Sequence, residues 1–153
     1  MKRYSMMPLL EGYVNEICDN IEAQYRDNVA DEALFIMSLH PEGNPTSDKP
    51  TALCKKYDRY AKELASRGLS CGILAQSTIG HGASPTAKPS MQHIVGLLDG
   101  AEHGTICPYD EDFRVYIRNA MATLTSRHPP RSWWTTTFVC LPEATAAVPV
   151  PFT

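Results

Sequence analysis

With 153 residues, 43% of them hydrophobic and 20% charged, the chain has enough apolar material for one domain with a real core. Its formal net charge of -3 gives no electrostatic reason to expect nucleic acid or an anionic membrane as a partner. No apolar run reaches about 18 residues, the length of a membrane span, and Pro8, Glu11, Asn15 and Glu16 break any signal-type stretch after Lys2 and Arg3, so the expected location is cytoplasmic.

Pro8 to Arg26 reads as an N-terminal helix. Leu10, Val14, Ile17 and Ile21 recur at three-four spacing, and Glu11, Glu16, Asp19 and Glu22 populate the other face. Ala33 to Leu39 is a short, nearly continuous apolar run, as expected of a strand buried on both faces of a parallel sheet. It ends in the polar loop His40 to Pro45. Ser47 or Asp48 then caps a second helix, with Pro50 tolerated in its first turn. Leu53, Tyr57, Tyr60, Ala61 and Leu64 form the apolar stripe of that helix, and Gly68 falls just past its end. The run Leu69 to Ala75 is a second strand, which completes a right-handed strand–helix–strand unit.

Ser77 to Pro108 is a long excursion rich in Gly, Ser and Pro, of the kind that is usually functional or mobile, with a short helical stretch expected near Met91 to Leu98. Asp110 opens another helix. Glu111 and Asp112 suit its positive end, Phe113, Ile117, Ala120, Met121 and Leu124 make its buried stripe, and His128-Pro-Pro130 stops it. From Ser132 to Thr153 the only charge is Glu143. Residues 133–140 have the β-propensity of a third strand, whereas Pro142, Pro149 and Pro151 speak against regular structure near the end. The expected class is therefore α/β. Residues 1–130 read as an incomplete β/α domain, and 131–153 as a divergent, irregular tail.

Three stretches together carry a family likeness: Ser38-Leu-His-Pro-Glu-Gly-Asn-Pro45, Gly72-Ile-Leu-Ala-Gln-Ser-Thr-Ile-Gly-His-Gly82 and Cys107-Pro-Tyr-Asp-Glu-Asp-Phe-Arg-Val-Tyr116. Over residues 30–128 the chain resembles bacterial glycoside-hydrolase-like proteins with a β-galactosidase-type (β/α)8 barrel. The resemblance implies a partial TIM-barrel-like unit and a carbohydrate ligand. The family pattern continues with an apolar strand tipped by acidic residues, and this chain departs from it near Pro130. Codons for Ser132 to Cys140 permit Ile-Met-Val-Asp-Asp-Asp-Phe-Arg-Leu when read one nucleotide earlier, which points to an out-of-frame tail. A genuine divergent C-terminus is the alternative.

In β/α-barrels chemistry sits at the C-terminal ends of the strands. That rule selects His40, Glu42 and Asn44 after the first strand and Gln76, Thr78 and His81 after the second, as groups that hydrogen-bond sugar hydroxyls. Glycoside hydrolysis generally needs two carboxyl groups about 5 to 10 Å apart. Glu42 is the only carboxylate in the set, and Asp110, Glu111 and Asp112 are explained by helix capping, so the catalytic residues stay unassigned. His81, His93, His103 and Cys107 have a loose metal-ligand spacing without a matching second pair, and no metal or cofactor is expected. The five cysteines form no C-x-x-C pair and read as reduced, mostly buried thiols.

The expected function is that of the opening part of a glycoside-hydrolase-like barrel, inactive alone, because three strands cannot close a barrel of eight. Its exposed sheet edge would invite association. The alternatives are a small non-enzymatic α/β ligand-binding module and one chain of a split barrel.

Overall fold

The computed structural model describes residues 2–76, 78–79 and 90–127, and the backbone of 132–134. In chain order the elements are β1 (Tyr4–Met7), α1 (Val14–Arg26), β2 (Glu32–Ser38), α2 (Lys49–Ser66), β3 (Cys71–Gln76), β4 (His93–Val95), β5 (Glu102–Ile106), α3 (Glu111–Thr125) and β6 (Ser132–Trp134). Four strands form one sheet in the order β1-β2-β3-β6, and all its pairings are parallel. β4 and β5 form a separate antiparallel hairpin.

The order never reverses, so each crossover moves one strand further in the same direction. Right-handed crossovers then place all three helices on one face of the sheet. In keeping with this, α2 packs against both α1 and α3. Alternate residues point to the same face of a strand. Ala33, Phe35 and Met37 of β2 and Cys71, Ile73 and Ala75 of β3 thus meet Ile17, Cys18 and Ile21 of α1, Cys54, Tyr57, Tyr60 and Leu64 of α2, and Ala120 and Leu124 of α3. Phe35 stands opposite Ile73 in the register and stacks on Tyr60, with ring centroids 4.7 Å apart. Burying each such side chain is worth about 1.5–3 kcal/mol, so this layer supplies most of the drive to fold.

The local signals explain the helix ends. Asp48 Oδ1 accepts from the Thr51 N–H at 3.3 Å, and Asp110 Oδ1 accepts from the Phe113 N–H at 2.8 Å. At the other end of α2, Gly68 N–H donates to the Ala65 carbonyl and Leu69 N–H to the Leu64 carbonyl, which is the Schellman pair of bonds.

Three expectations need correction. The chain opens on a strand, β1, before any helix, and α1 starts at Val14 instead of Pro8. Pro8 cannot donate a backbone bond, and Gly12 sits at φ +83, a left-handed turn incompatible with a helix running through it. Leu10, placed in the apolar stripe, is 48% exposed, and its carbonyl instead accepts from the Tyr60 hydroxyl at 2.6 Å. Third, Met91 to Leu98 contains no helix. Its Ile94-Val95 pair is β-branched and lies in β4, and the chain then turns back into β5, with Gly96 N–H bonded to the Ala101 carbonyl at 2.9 Å. The strands expected at 33–39 and 69–75 lie at 32–38 and 71–76. Within 133–140, Trp133 and Trp134 belong to β6, and the remainder lies outside the described residues.

Candidate functional site

The C-terminal ends of β2 and β3 lie side by side, with Ser38 paired to Gln76 and the Leu39 N–H donating to the Gln76 carbonyl at 2.9 Å. This register brings His40 close to the start of the β3 excursion. From there the chain is tied to the hairpin by the Ile106 N–H, which donates to the Ile79 carbonyl at 2.9 Å. A second small core, of Met91, Ile106 and Phe113 with Ile79, Tyr116 and Ile117, anchors the hairpin to α3.

His40 is only 6% exposed, and its Nε2 has no hydrogen-bond partner among the described residues. Burial lowers its pKa, the Gly104 carbonyl beside the ring works the other way, and the nearby Lys49 ammonium lowers it further. The ring is thus held toward its neutral form, which can accept or donate one hydrogen bond at an unpaired nitrogen.

His93 repeats the pattern from the hairpin. Its Nδ1 lies 2.9 Å from the His103 carbonyl, while its Nε2 is buried and unpartnered among the described residues. A carbonyl only accepts, so in the neutral ring the proton sits on Nδ1 and the lone pair on Nε2.

Glu42 is exposed, and its Oε1 accepts from the Lys49 Nζ at 2.5 Å. The Ser47 N–H donates to the Glu42 carbonyl at 2.8 Å and closes the loop that makes this pairing possible. Gly43, at φ +89, turns the chain there, and a Cβ on it would come within 3.1 Å of the Pro45 carbonyl. Substitution at this position would displace the loop that holds both Glu42 and His40.

The structure therefore brings His40, Glu42, Gln76 and Thr78 to the same end of the sheet. Thr78 is 6% exposed and Gln76 half-buried. Asn44 is exposed in the same loop, and His81 lies outside the described residues. Lys49, His93 and Tyr116 were not among the expected site residues. Tyr116 joins them with a buried hydroxyl that has no partner among the described residues, close enough to Glu42 and Asp48 for both carboxylates to raise its pKa further above the value that burial sets.

The described members of this set offer hydrogen-bond donors and acceptors. Glu42 is its only carboxylate and is engaged by Lys49. Among the described residues no group of three His, Cys, Asp or Glu side chains is placed to hold a metal ion. The thiols of Cys18 and Cys71 are buried in the core, and burial pushes both up to about 11, which makes them poor nucleophiles. No described helix is long and apolar enough to cross a membrane. Comparison with family models, curated proteins and solved structures finds no match to this chain.

Proposed function

We propose that this chain carries the opening β/α units of a glycoside-hydrolase-like barrel and contributes a carbohydrate-binding edge, without cleaving a glycosidic bond by itself. The observation that carries the reading is His40, a buried imidazole whose Nε2 has no partner among the described residues, set just past the C-terminal end of β2, whose last residue pairs with Gln76. A buried polar atom without a partner costs about 1–3 kcal/mol. A ligand hydroxyl removes that cost at the place where barrel enzymes bind substrate. The unreversed strand order β1-β2-β3-β6 agrees with barrel winding, since a doubly wound fold changes direction at a switch point.

Purified chain incubated with a panel of aryl-glycosides should release no aglycone. An NMR titration with methyl glycosides should shift the His40 ring signals, and His40→Ala should remove the response. Turnover that disappears in Glu42→Gln would overturn the non-catalytic reading, and glycoside binding indifferent to His40→Ala would overturn the strand-end site.

A second reading, a self-standing α/β ligand-binding module, is favoured by the continuous core between the sheet and all three helices. It predicts a single cooperative thermal transition, where an isolated barrel segment would melt broadly.

A further inference from the structure

A cleft opens between the loop that follows β2 and the flank of α3. It has a volume of about 210 Å³ and is lined by Thr46, Ser47, Asp48, Pro50, Tyr116, Asn119, Ala120 and Thr123. Its size is below the about 300–1,000 Å³ of pockets for drug-sized ligands, so an occupant has the dimensions of one ring.

The lining specifies the chemistry of that occupant. Thr46, Ser47 and Thr123 bring hydroxyl side chains to this lining and Asn119 an amide. Thr123 is partly committed, donating to the Asn119 backbone carbonyl at 2.8 Å. The Tyr116 hydroxyl is buried and has no partner among the described residues. Pro50 and Ala120 are buried and, with the Tyr116 ring, supply apolar surface.

An anion is disfavoured on two counts. The Asp48 carboxylate lies in the cleft, with Oδ1 already spent on the Thr51 N–H, and Pro50 removes an N–H from the first turn of α2. A cation would find only that one committed carboxylate. Neutral donors and acceptors around small apolar surfaces fit a neutral ring whose hydroxyls lie at its rim and whose C–H groups make its faces.

We infer that this cleft binds a single neutral polyhydroxylated ring, a pyranose or a cyclitol, through Asn119 and the Thr46-Ser47 hydroxyls, with the Tyr116 ring as apolar surface. The inference stands on this cleft alone and holds whether or not His40 binds sugar.

The test is an amide-detected NMR titration of the full chain with methyl galactopyranoside, myo-inositol and inorganic sulfate in parallel. At least one ring polyol should give saturable shifts at Thr46, Ser47, Asn119 and Thr123 with millimolar affinity, and sulfate should give none there. Response to the glycoside alone assigns a pyranose, and response to inositol alone a cyclitol. Asn119→Leu and Ser47→Ala should each weaken binding about tenfold or more, whereas His40→Ala should leave it unchanged. No saturable shift with either polyol, equal binding by both cleft variants, or sulfate competing for the same amides would overturn the inference. Loss of binding in His40→Ala with none in Asn119→Leu would move the ligand to the strand ends.

Discussion

The two ends of the parallel sheet treat buried polar groups differently. At the N-terminal end they are matched. The Tyr25 hydroxyl accepts from the Ala33 N–H at 2.6 Å and donates to the Ser70 carbonyl at 3.0 Å, so one side chain joins the start of β2 to the approach to β3. The buried Tyr57 hydroxyl donates to the Cys71 carbonyl at 3.0 Å, and at the surface the exposed Asp31 carboxylate takes both the Arg3 backbone N–H at 2.7 Å and its guanidinium. At the C-terminal end the balance is the reverse. The three unpartnered buried side-chain atoms among the described residues, on His40, His93 and Tyr116, gather around the loop between β2 and α2. In parallel β/α barrels one end serves stability and the other serves ligands, and the described hydrogen bonds of this molecule differ between its two ends in the same sense.

The layer between the two ends should be the most sensitive to substitution. Phe35 is fully buried, stacks on Tyr60 and meets Tyr57 edge-on at 6.0 Å. Phe35→Ala should cost about 3–5 kcal/mol, read as a fall in the urea midpoint. A loss under about 1 kcal/mol would mean that the helix layer does not hold the sheet, and the comparison between its ends would lose its frame.

A matched pair of hydroxyl deletions tests the comparison itself. Tyr25→Phe strands the Ala33 N–H and the Ser70 carbonyl and should cost about 1–3 kcal/mol. Tyr116→Phe removes a hydroxyl without a partner among the described residues, so stability should be unchanged or rise. Urea unfolding of both variants in one buffer settles the order. Equal losses at the two positions would show that Tyr116 is satisfied in solution and that the ends are alike.

Much of this division was legible in the residues, and the failures have physical causes. The continuous apolar runs marked β2 and β3, and Asp48 and Asp110 marked the helix starts, because each is a local signal that tertiary contacts reinforce. β1 was missed because four residues, Tyr4-Ser-Met-Met7, are too few to show a period, and its pairing to Glu32–Phe35 is what makes it a strand. The strand-end rule pointed to His40 and Glu42, and the fold places both at that end of the sheet. It did not find Lys49, whose ammonium reaches Glu42 only after the loop has doubled back on itself. Tyr116 was visible as an aromatic three residues after Phe113 on the buried stripe of α3. Its unpartnered hydroxyl follows from what α3 packs against, and no spacing reports that.

The smallest effect separates the two ends by pH. Burial lowers the folded-state pKa of His40 below its ordinary value of about 6.5. A depressed histidine keeps its full contribution to stability above the unfolded pKa and loses it as pH falls through the folded one, because the folded state resists the proton that the unfolded state takes up. Asp31 works in a lower window. Its bonds from Arg3 hold the carboxyl at about 2, so its contribution is complete above about 4 and is lost only as pH falls toward about 2. Urea midpoints measured between neutral pH and pH of about 5 should therefore decline, and His40→Gln should flatten that decline while Asp31→Asn leaves its slope intact. Below pH of about 4 the roles should exchange. A neutral-range decline that survives His40→Gln would place the titrating group elsewhere in the molecule.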